Sequence, residues 1–470
     1  MTELINSIND LFYSYLLIII LVLGGLYFTV RTKGVQFTML GEQLRAVTEK
    51  PEDKKGVSSF GALMISTASR VGTGNIIGVS TAICLGGYGS VFWMWAIALI
   101  GGATAFVEST LAQIYKKRAT GGSYGGPAYY IESGIKSRVL AVVFSLLLII
   151  TYGIGFNMLT SFNLASTFSP YGFYNEKITP WVISLILGCL VCLCLFGGGK
   201  RLIGVTEKLV PAMGIAYIFT AIVAVALNAK LLPSVLTRIF ADAFDFRAIF
   251  GGLAGSSLIY GVKRGLFSNE AGVGSAPNAS AAADVSHPVK QGLVQILSVF
   301  IDTVLICSAT AFMCLCSGVE PTAANSGAPY VQSAASANFG AFGPIFITVS
   351  MTLFGFTTLL GNLYYVESAF DFLHGKRPDK AFNVIYYIVA SLVIFIGGGL
   401  SADLLWGIAD VTMGLMALIN MPVIIILGKY AFRALDDYKK QRKNGLDPTF
   451  RVKDVGLSDD VECWKDGETY

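Results

Sequence analysis

The chain has 470 residues, of which 54% are hydrophobic and only 14% charged, against roughly 25% charged in ordinary soluble domains. A mean hydropathy of +0.64 over this length excludes a large soluble core, and a net charge of only +4 with no basic face excludes a nucleic-acid binder. The composition is that of an all-α polytopic membrane protein embedded in a lipid bilayer.

A membrane-crossing helix needs about 20 apolar residues. Eleven stretches qualify, in chain order: 13–31, 57–85, 90–116, 138–168, 179–197, 203–228, 250–283, 288–317, 341–373, 380–398 and 402–432. The N-terminus has neither a basic leader nor a small-residue cleavage site, so no cleaved signal is expected. Basic residues cluster after the odd-numbered segments: Arg31, Lys33 and Arg45, then Lys116, Lys117 and Arg118, Lys200 and Arg201, Lys290, Lys376 and Arg377, and a basic tail. The second, eighth and tenth connections (86–89, 318–340 and 397–401) contain no Lys or Arg. Cytoplasmic connections carry the positive excess. The expected topology is therefore multi-pass in the cytoplasmic (inner) membrane of a prokaryote, with the N-terminus outside and the C-terminus cytoplasmic.

Segments two to six and seven to eleven form two sets of five that start from opposite sides of the membrane, the arithmetic of an inverted repeat. The expected divisions are 1–56, an extra N-terminal helix with a cytoplasmic amphipathic segment, and 57–228, the first five-helix repeat. There follow 229–249, an external interfacial segment, 250–438, the second repeat, and 439–470, a cytoplasmic tail.

Both sets open on an interrupted segment. The first contains Ser69-Arg70-Val71-Gly72-Thr73-Gly74-Asn75, and the second Phe267-Ser268-Asn269-Glu270-Ala271-Gly272-Val273-Gly274-Ser275. Backbone at membrane depth leaves the helix only where it lines a protein cavity. Such breaks expose carbonyls that suit Na⁺ and amides that, helped by the helix dipole, suit a carboxylate. Asn75 adds a side-chain oxygen, and Asn269 and Glu270 repeat the polarity in the second break. A Gly-rich helix-packing face is the alternative for the first break. For Glu270 it is a structural ion pair with Lys263, Arg264 or Arg70.

Further along, Thr357 and Thr358 follow Phe354 and Gly355 in the ninth segment. Two adjacent hydroxyls with a carbonyl one turn earlier can complete a five-oxygen Na⁺ shell; alternatively each Thr bonds its own helix. Glu108, Asp302, Glu367 and Asp410 are further intramembrane carboxylates; any one could be a proton site, but near helix ends each is expected to be solvated or paired. The eight cysteines, with only His287 and His374 as histidines, read as small packing residues rather than metal ligands. No catalytic constellation or phosphate-binding loop is present, so no enzyme is expected.

Gly86-Gly87-Tyr88-Gly89-Ser90-Val91-Phe92-Trp93-Met94-Trp95 resembles a signature of the alanine or glycine:cation symporter family. Val71-Gly72-Thr73-Gly74-Asn75 and Lys263-Arg264-Gly265-Leu266-Phe267-Ser268-Asn269-Glu270-Ala271-Gly272 are also similar to that family. The resemblance covers nearly the whole chain. It implies a leucine-transporter-like fold with one extra N-terminal helix, and Na⁺-coupled uptake of a small neutral amino acid, alanine or glycine. It implies a Na⁺ site of the Ala68, Val71 and Phe354 carbonyls with Thr357 and Thr358. It places the substrate beside Thr73, Gly74, Asn75, Thr160, Phe267, Ser268, Asn269 and Gly272, with its carboxylate at Asn75 and the Gly72–Gly74 amides. Thr160 stands where family members often carry Gln, which bears on pocket size. The resemblance implies no obligate protein partner. The rival readings are a proton-coupled amino-acid transporter and a non-transporting amino-acid sensor.

Overall fold

The computed structural model describes residues 9, 11–51, 56–119, 122–245, 256–376, 378–457 and 461–464. Among the described residues, seven helices are long and apolar enough to cross a membrane: Gly89–Ile114, Arg138–Ser166, Arg201–Leu227, Pro288–Leu315, Phe342–His374, Lys380–Gly397 and Ala402–Lys443. Leu17–Arg31, Gly74–Gly86 and Thr179–Leu195 are shorter apolar helices. We label the helices used below α1 (Leu17–Arg31), α2 (Ser59–Arg70), α3 (Val79–Gly86), α4 (Gly89–Ile114), α5 (Arg138–Ser166) and α6 (Thr179–Leu195). They continue as α7 (Gly198–Leu227), α8 (Leu232–Ala243), α9 (Ser257–Asn269), α10 (Pro288–Leu315), α11 (Phe342–His374), α12 (Lys380–Gly397) and α13 (Ala402–Lys443). A short antiparallel hairpin, Lys117–Ala119 with Gly122–Tyr124, and an isolated bridge between Val57 and Ala283 depart from the all-α expectation.

The seventh apolar stretch is not one helix. Its residues 250–255 lie outside the described residues, α9 ends at Asn269, and only the four-residue turn Pro277–Ser280 is helical after that. Within the connection 229–249, Ala229–Leu231 and Leu232–Ala243 are helical. The connection forms helix α8, whose Asp242 carboxylate accepts from the Gly89 amide at 2.6 Å.

The core lies where α2, α4, α9, α10 and α11 meet. The outer faces stay apolar: Ile215, Phe219 and Ile222 on α7, and Ile385, Val389 and Leu392 on α12, are all exposed. In an aqueous protein such belts would aggregate. Here they face lipid tails, where polar backbone would be costly and helices satisfy their own backbone groups.

The basic helix ends gather on one face. Arg442 at the end of α13 pairs with Glu42 at 2.7 Å, Lys439 donates to the Thr32 carbonyl beyond α1, and Lys290 at the start of α10 pairs with Asp447 at 3.3 Å. The tail folds back over this face. Ser286 Oγ donates to the Pro448 carbonyl at 2.8 Å, and Trp464 Nε1 donates to the Gln113 carbonyl at 2.8 Å. Next to it, the residues entering α2 and leaving the second break are joined, with the Asp284 amide donating to the Val57 carbonyl at 2.9 Å.

Candidate functional site

Both interruptions are real breaks, and each has a local cause. Helix α2 starts at Ser58, whose hydroxyl accepts from the Gly61 amide at 2.9 Å, and stops at Arg70. Val71 then leaves helical geometry (ψ 87°) before helical turns resume at Gly74–Gly78 and continue into α3. The second break is sharper. Glu270 is left-handed (φ 53°), and Gly272 and Gly274 also have positive φ (91° and 88°). Glycines adopt this region freely, whereas Glu270 holds it against a steric cost of roughly 1–3 kcal/mol. The surrounding side chains hold Glu270 there. Its carboxylate accepts from Ser275 Oγ at 2.6 Å and Ser69 Oγ at 3.5 Å.

The first cluster is a set of oxygens between the first break and α11. Thr358 Oγ1 lies 3.2 Å from the Ala68 carbonyl oxygen and 3.4 Å from that of Val71. Gly72 permits this approach, since a Cβ there would collide with Thr358 Oγ1. Thr357 behaves differently. Its hydroxyl lies 3.1 Å from both the Leu353 and the Phe354 carbonyl oxygens of its own helix. Of the five expected Na⁺ ligands, the structure thus joins Ala68, Val71 and Thr358 directly, with Thr357 tied to the Phe354 carbonyl. A chain from Asn157 Oδ1 to Asn362 Nδ2 (3.0 Å), and from Asn362 Oδ1 to Ser69 Oγ (2.7 Å), holds α5, α11 and α2 in register beside it.

The second cluster surrounds Asp302, in a π-helical turn of α10 (Phe300–Cys307). Its carboxylate accepts from Asn75 Nδ2 at 2.6 Å, Thr303 Oγ1 at 2.8 Å and Ser268 Oγ at 2.5 Å. Asp302 is fully buried at the midpoint of its apolar stretch, which corrects the expectation of a carboxylate near a helix end. A single charge in the middle of a long apolar run is itself the signal that could have found it. Asn75 is committed here at both ends, because its Oδ1 accepts from the Gly72 amide at 2.8 Å. Neither Asn75 nor the Gly72 amide is therefore free for a substrate carboxylate as expected. Thr73 and Gly74 stand at the start of the next helical turn.

The third cluster gathers Thr73, Thr160, Asn163, Gly355 and Phe267. Asn163 Nδ2 donates to Thr73 Oγ1 at 3.2 Å. The Phe267 ring lies so close to Gly74 that a Cβ there would sit 2.6 Å from Phe267 Cε1. Phe267 also packs on Phe156 (centroids 4.7 Å apart) and on Trp406 (4.9 Å). Above Trp406, the Arg264 guanidinium stacks at 4.0 Å and pairs with Asp410 at 3.1 Å, while Lys263 pairs with the same carboxylate at 2.8 Å. Lys263 and Arg264 therefore serve Asp410, not Glu270. Of the alternative partners for Glu270, this removes Lys263 and Arg264, whose partner lies on a helix far along the chain.

Asn269 and Gly272 are engaged within the protein. Asn269 Oδ1 accepts from the Ala271 amide at 3.0 Å, and its Nδ2 has no partner among the described residues. The Gly272 carbonyl accepts from Asn420 Nδ2 at 3.1 Å, and a Cβ on Gly272 would meet Met421 and Leu21. Both residues shape the break from behind. Asn420 also donates to Glu108, which places that carboxylate inside the bundle rather than at an end. Arg70, buried among these acids, donates to Gln295 Oε1 at 3.1 Å.

On the basic face, a cavity of about 250 Å³ lies between Asn278 at the inner end of the second break and Tyr364 and Ser368 of α11. Phe267, Trp406, Arg264 and Asp410 form a continuous stack and ion pair.

A family profile, the sodium:alanine symporter family, matches residues 1–452. The chain is 43% identical over 464 residues to the amino-acid carrier protein AlsT of Bacillus subtilis (strain 168), covering 99% of this chain and 98% of that one. It is 42% identical over 469 residues to the probable sodium/glutamine symporter GlnT of the same organism, covering 99% and 97%. Among solved structures it resembles MhsT in complex with L-phenylalanine, with a TM-score of 0.51 at 14% identity, covering 88% of this chain and 94% of that one. At that identity the last likeness concerns the fold alone, and it is the leucine-transporter-like fold.

Proposed function

The chain belongs to the sodium:alanine symporter family, and on that premise we propose that it is a secondary active symporter importing a small neutral amino acid, alanine or glycine first, down the sodium gradient. It is a multi-pass membrane protein, and in this reading it is no enzyme. The observation that carries the proposal is the oxygen set of Thr358 Oγ1 with the Ala68 and Val71 carbonyls. A Na⁺ there would tie the first break to α11 and replace hydroxyl-to-carbonyl bonds with ion contacts. The ion would order the break whose Thr73 and Gly74 amides face the substrate carboxylate. Coupling by this route is reciprocal and of the order of 1–3 kcal/mol. Relatives carry names for alanine and for glutamine carriers, so the side chain is the variable part of the substrate.

Counterflow of labelled alanine in proteoliposomes tests this. Accumulation is expected with an inward Na⁺ gradient and is lost when K⁺ replaces Na⁺. Equal accumulation under a proton gradient alone would favour the proton-coupled rival, and binding without exchange would favour the sensor.

The membrane is the cytoplasmic one in this reading, with the N-terminus outside and the tail inside. The convergence of the basic ends of α1, α4, α10 and α13 on one face supports it. A reporter fused after the last residue is expected to be active only if it is a cytoplasmic reporter. Fusion within α13 is unsuitable, because residues beyond Arg442 pack back on the core. A fusion at the last residue active in the periplasm would overturn the orientation.

A further inference from the structure

We propose that residues 461–464 form an intramolecular strap that keeps the basic-face exit of the transport path shut, so that loosening the strap speeds passage through it. The direction of traffic rests on the importer reading; the strap itself is read from the contacts of the tail.

The tail segment is buried where its sequence gives no reason for burial. It lies past the last apolar stretch, yet Cys463 is fully buried and Trp464 is only 5% exposed. Its contacts fall on the end of α4 and on the hairpin that follows. Trp464 Nε1 donates to the Gln113 carbonyl at 2.8 Å, and the Lys116 ammonium sits 4.9 Å from the centre of the Trp464 ring. Glu462 accepts from the Arg118 amide at 3.1 Å and pairs with Lys117 at 3.2 Å. Behind it, Trp464 packs on Phe450 with ring centroids 5.2 Å apart, and the Phe450 amide donates to the Ser286 carbonyl at 3.0 Å.

The residues under the strap grip the inner end of the second break. Gln113 Nε2 and Lys116 Nζ both donate to the Ala283 carbonyl, at 2.9 and 3.1 Å. In the hairpin, Ser123 Oγ donates to the Ala281 carbonyl at 2.8 Å. Just beyond it, the Gly125 carbonyl accepts from Ser368 Oγ of α11 at 2.8 Å. Ser123 and Ser368 also line the cavity of about 250 Å³ on this face. The hairpin therefore reaches from residues 280–283 to α11 along the edge of that cavity. Ala283 is in turn bridged to Val57, at the entry to α2. Parting the two broken elements on this face must pull residues 280–283 away from Val57 or from α11. Either motion strains the Gln113 and Lys116 bonds that Trp464 backs. Lys116 is 2% exposed, and a cation over an aromatic face is held most strongly where water is excluded.

Hydrogen exchange read by mass spectrometry on the full chain in lipid nanodiscs tests the strap, together with exchange of labelled alanine by proteoliposomes. The reporter is the Asp284 amide, which donates to the Val57 carbonyl. In Trp464→Ala its exchange should rise about tenfold, while peptides from α12 keep their protection. Trp464→Phe keeps a ring over Lys116 and loses only the N–H, so it should recover most of the protection. Alanine exchange should run about threefold faster in Trp464→Ala, an effect that simple loss of structure would reverse. Unchanged protection at Asp284, or an equal loss across α12, would overturn the strap. Lost protection at Asp284 with slower or unchanged alanine exchange would overturn its role in closing the exit. No alanine exchange by the unmodified protein would overturn the importer reading and with it the exit, while lost protection confined to Asp284 and its neighbours would keep the strap.

Discussion

Thr358→Val is expected to raise the Na⁺ concentration for half-maximal uptake by roughly tenfold or more, with uptake recovering at saturating Na⁺. Valine keeps the branched shape but offers a methyl where the hydroxyl stands 3.2 Å from the Ala68 carbonyl oxygen. A dehydrated cation needs that oxygen, and hydrocarbon returns none of the lost hydration. Thr357→Val should do less, because the Thr357 hydroxyl is shared between the Leu353 and Phe354 carbonyls of its own helix. Gly72→Ala should be the most severe, since the new methyl collides with Thr358 Oγ1 and pushes α11 off the break. Uptake titrated with Na⁺ for the three variants, each checked for monodispersity, gives the order. An unchanged Na⁺ requirement in Thr358→Val would remove this cluster as the coupling site. So would a larger effect from Thr357→Val.

Asp410→Ala should destabilise the protein by about 3–5 kcal/mol, the cost of leaving buried charge without its partner. Asp410 is 1% exposed and is the counter-ion of both Arg264, at 5%, and Lys263, at 16%. Lys263→Met should be much milder, because Arg264 still meets both Asp410 oxygens, at 3.3 and 3.1 Å, and stacks on Trp406. Thermal denaturation in detergent measures the difference. Equal melting points for the two variants would show that Asp410 does not hold α9 and α13 together. The same pair roofs the Phe267–Trp406 contact, so Asp410→Ala should also speed release of bound substrate.

The sequence by itself determined the helical membrane class and the two breaks, while seven of the eleven expected spans are long apolar helices among the described residues. Those features are written in one dimension: runs of about 20 apolar residues, Lys and Arg on alternate connections, and Gly-rich polar interruptions inside apolar runs. The resemblance in Gly86–Trp95 and in the two breaks added the family. Sequence spacing could not assign partners. Asn75 and Glu270 lie in the breaks and looked free for a ligand or an ion pair. Folding spends Asn75 on Asp302 and the Gly72 amide, and Glu270 on Ser69 and Ser275, while Lys263 and Arg264 turn to Asp410 on α13. Asp302 needed the same context, because a lone carboxylate in an apolar run tells its depth but not the Asn75, Ser268 and Thr303 that surround it. Asn269 and Gly272 share the break with Phe267 and Ser268, yet the fold engages the Asn269 side chain with the Ala271 amide and the Gly272 carbonyl with Asn420. Which face of a broken helix a residue takes is set by dihedral angles and by the helices packed against it, and a buried polar group bonds whatever neighbour the tertiary fold brings within about 3 Å.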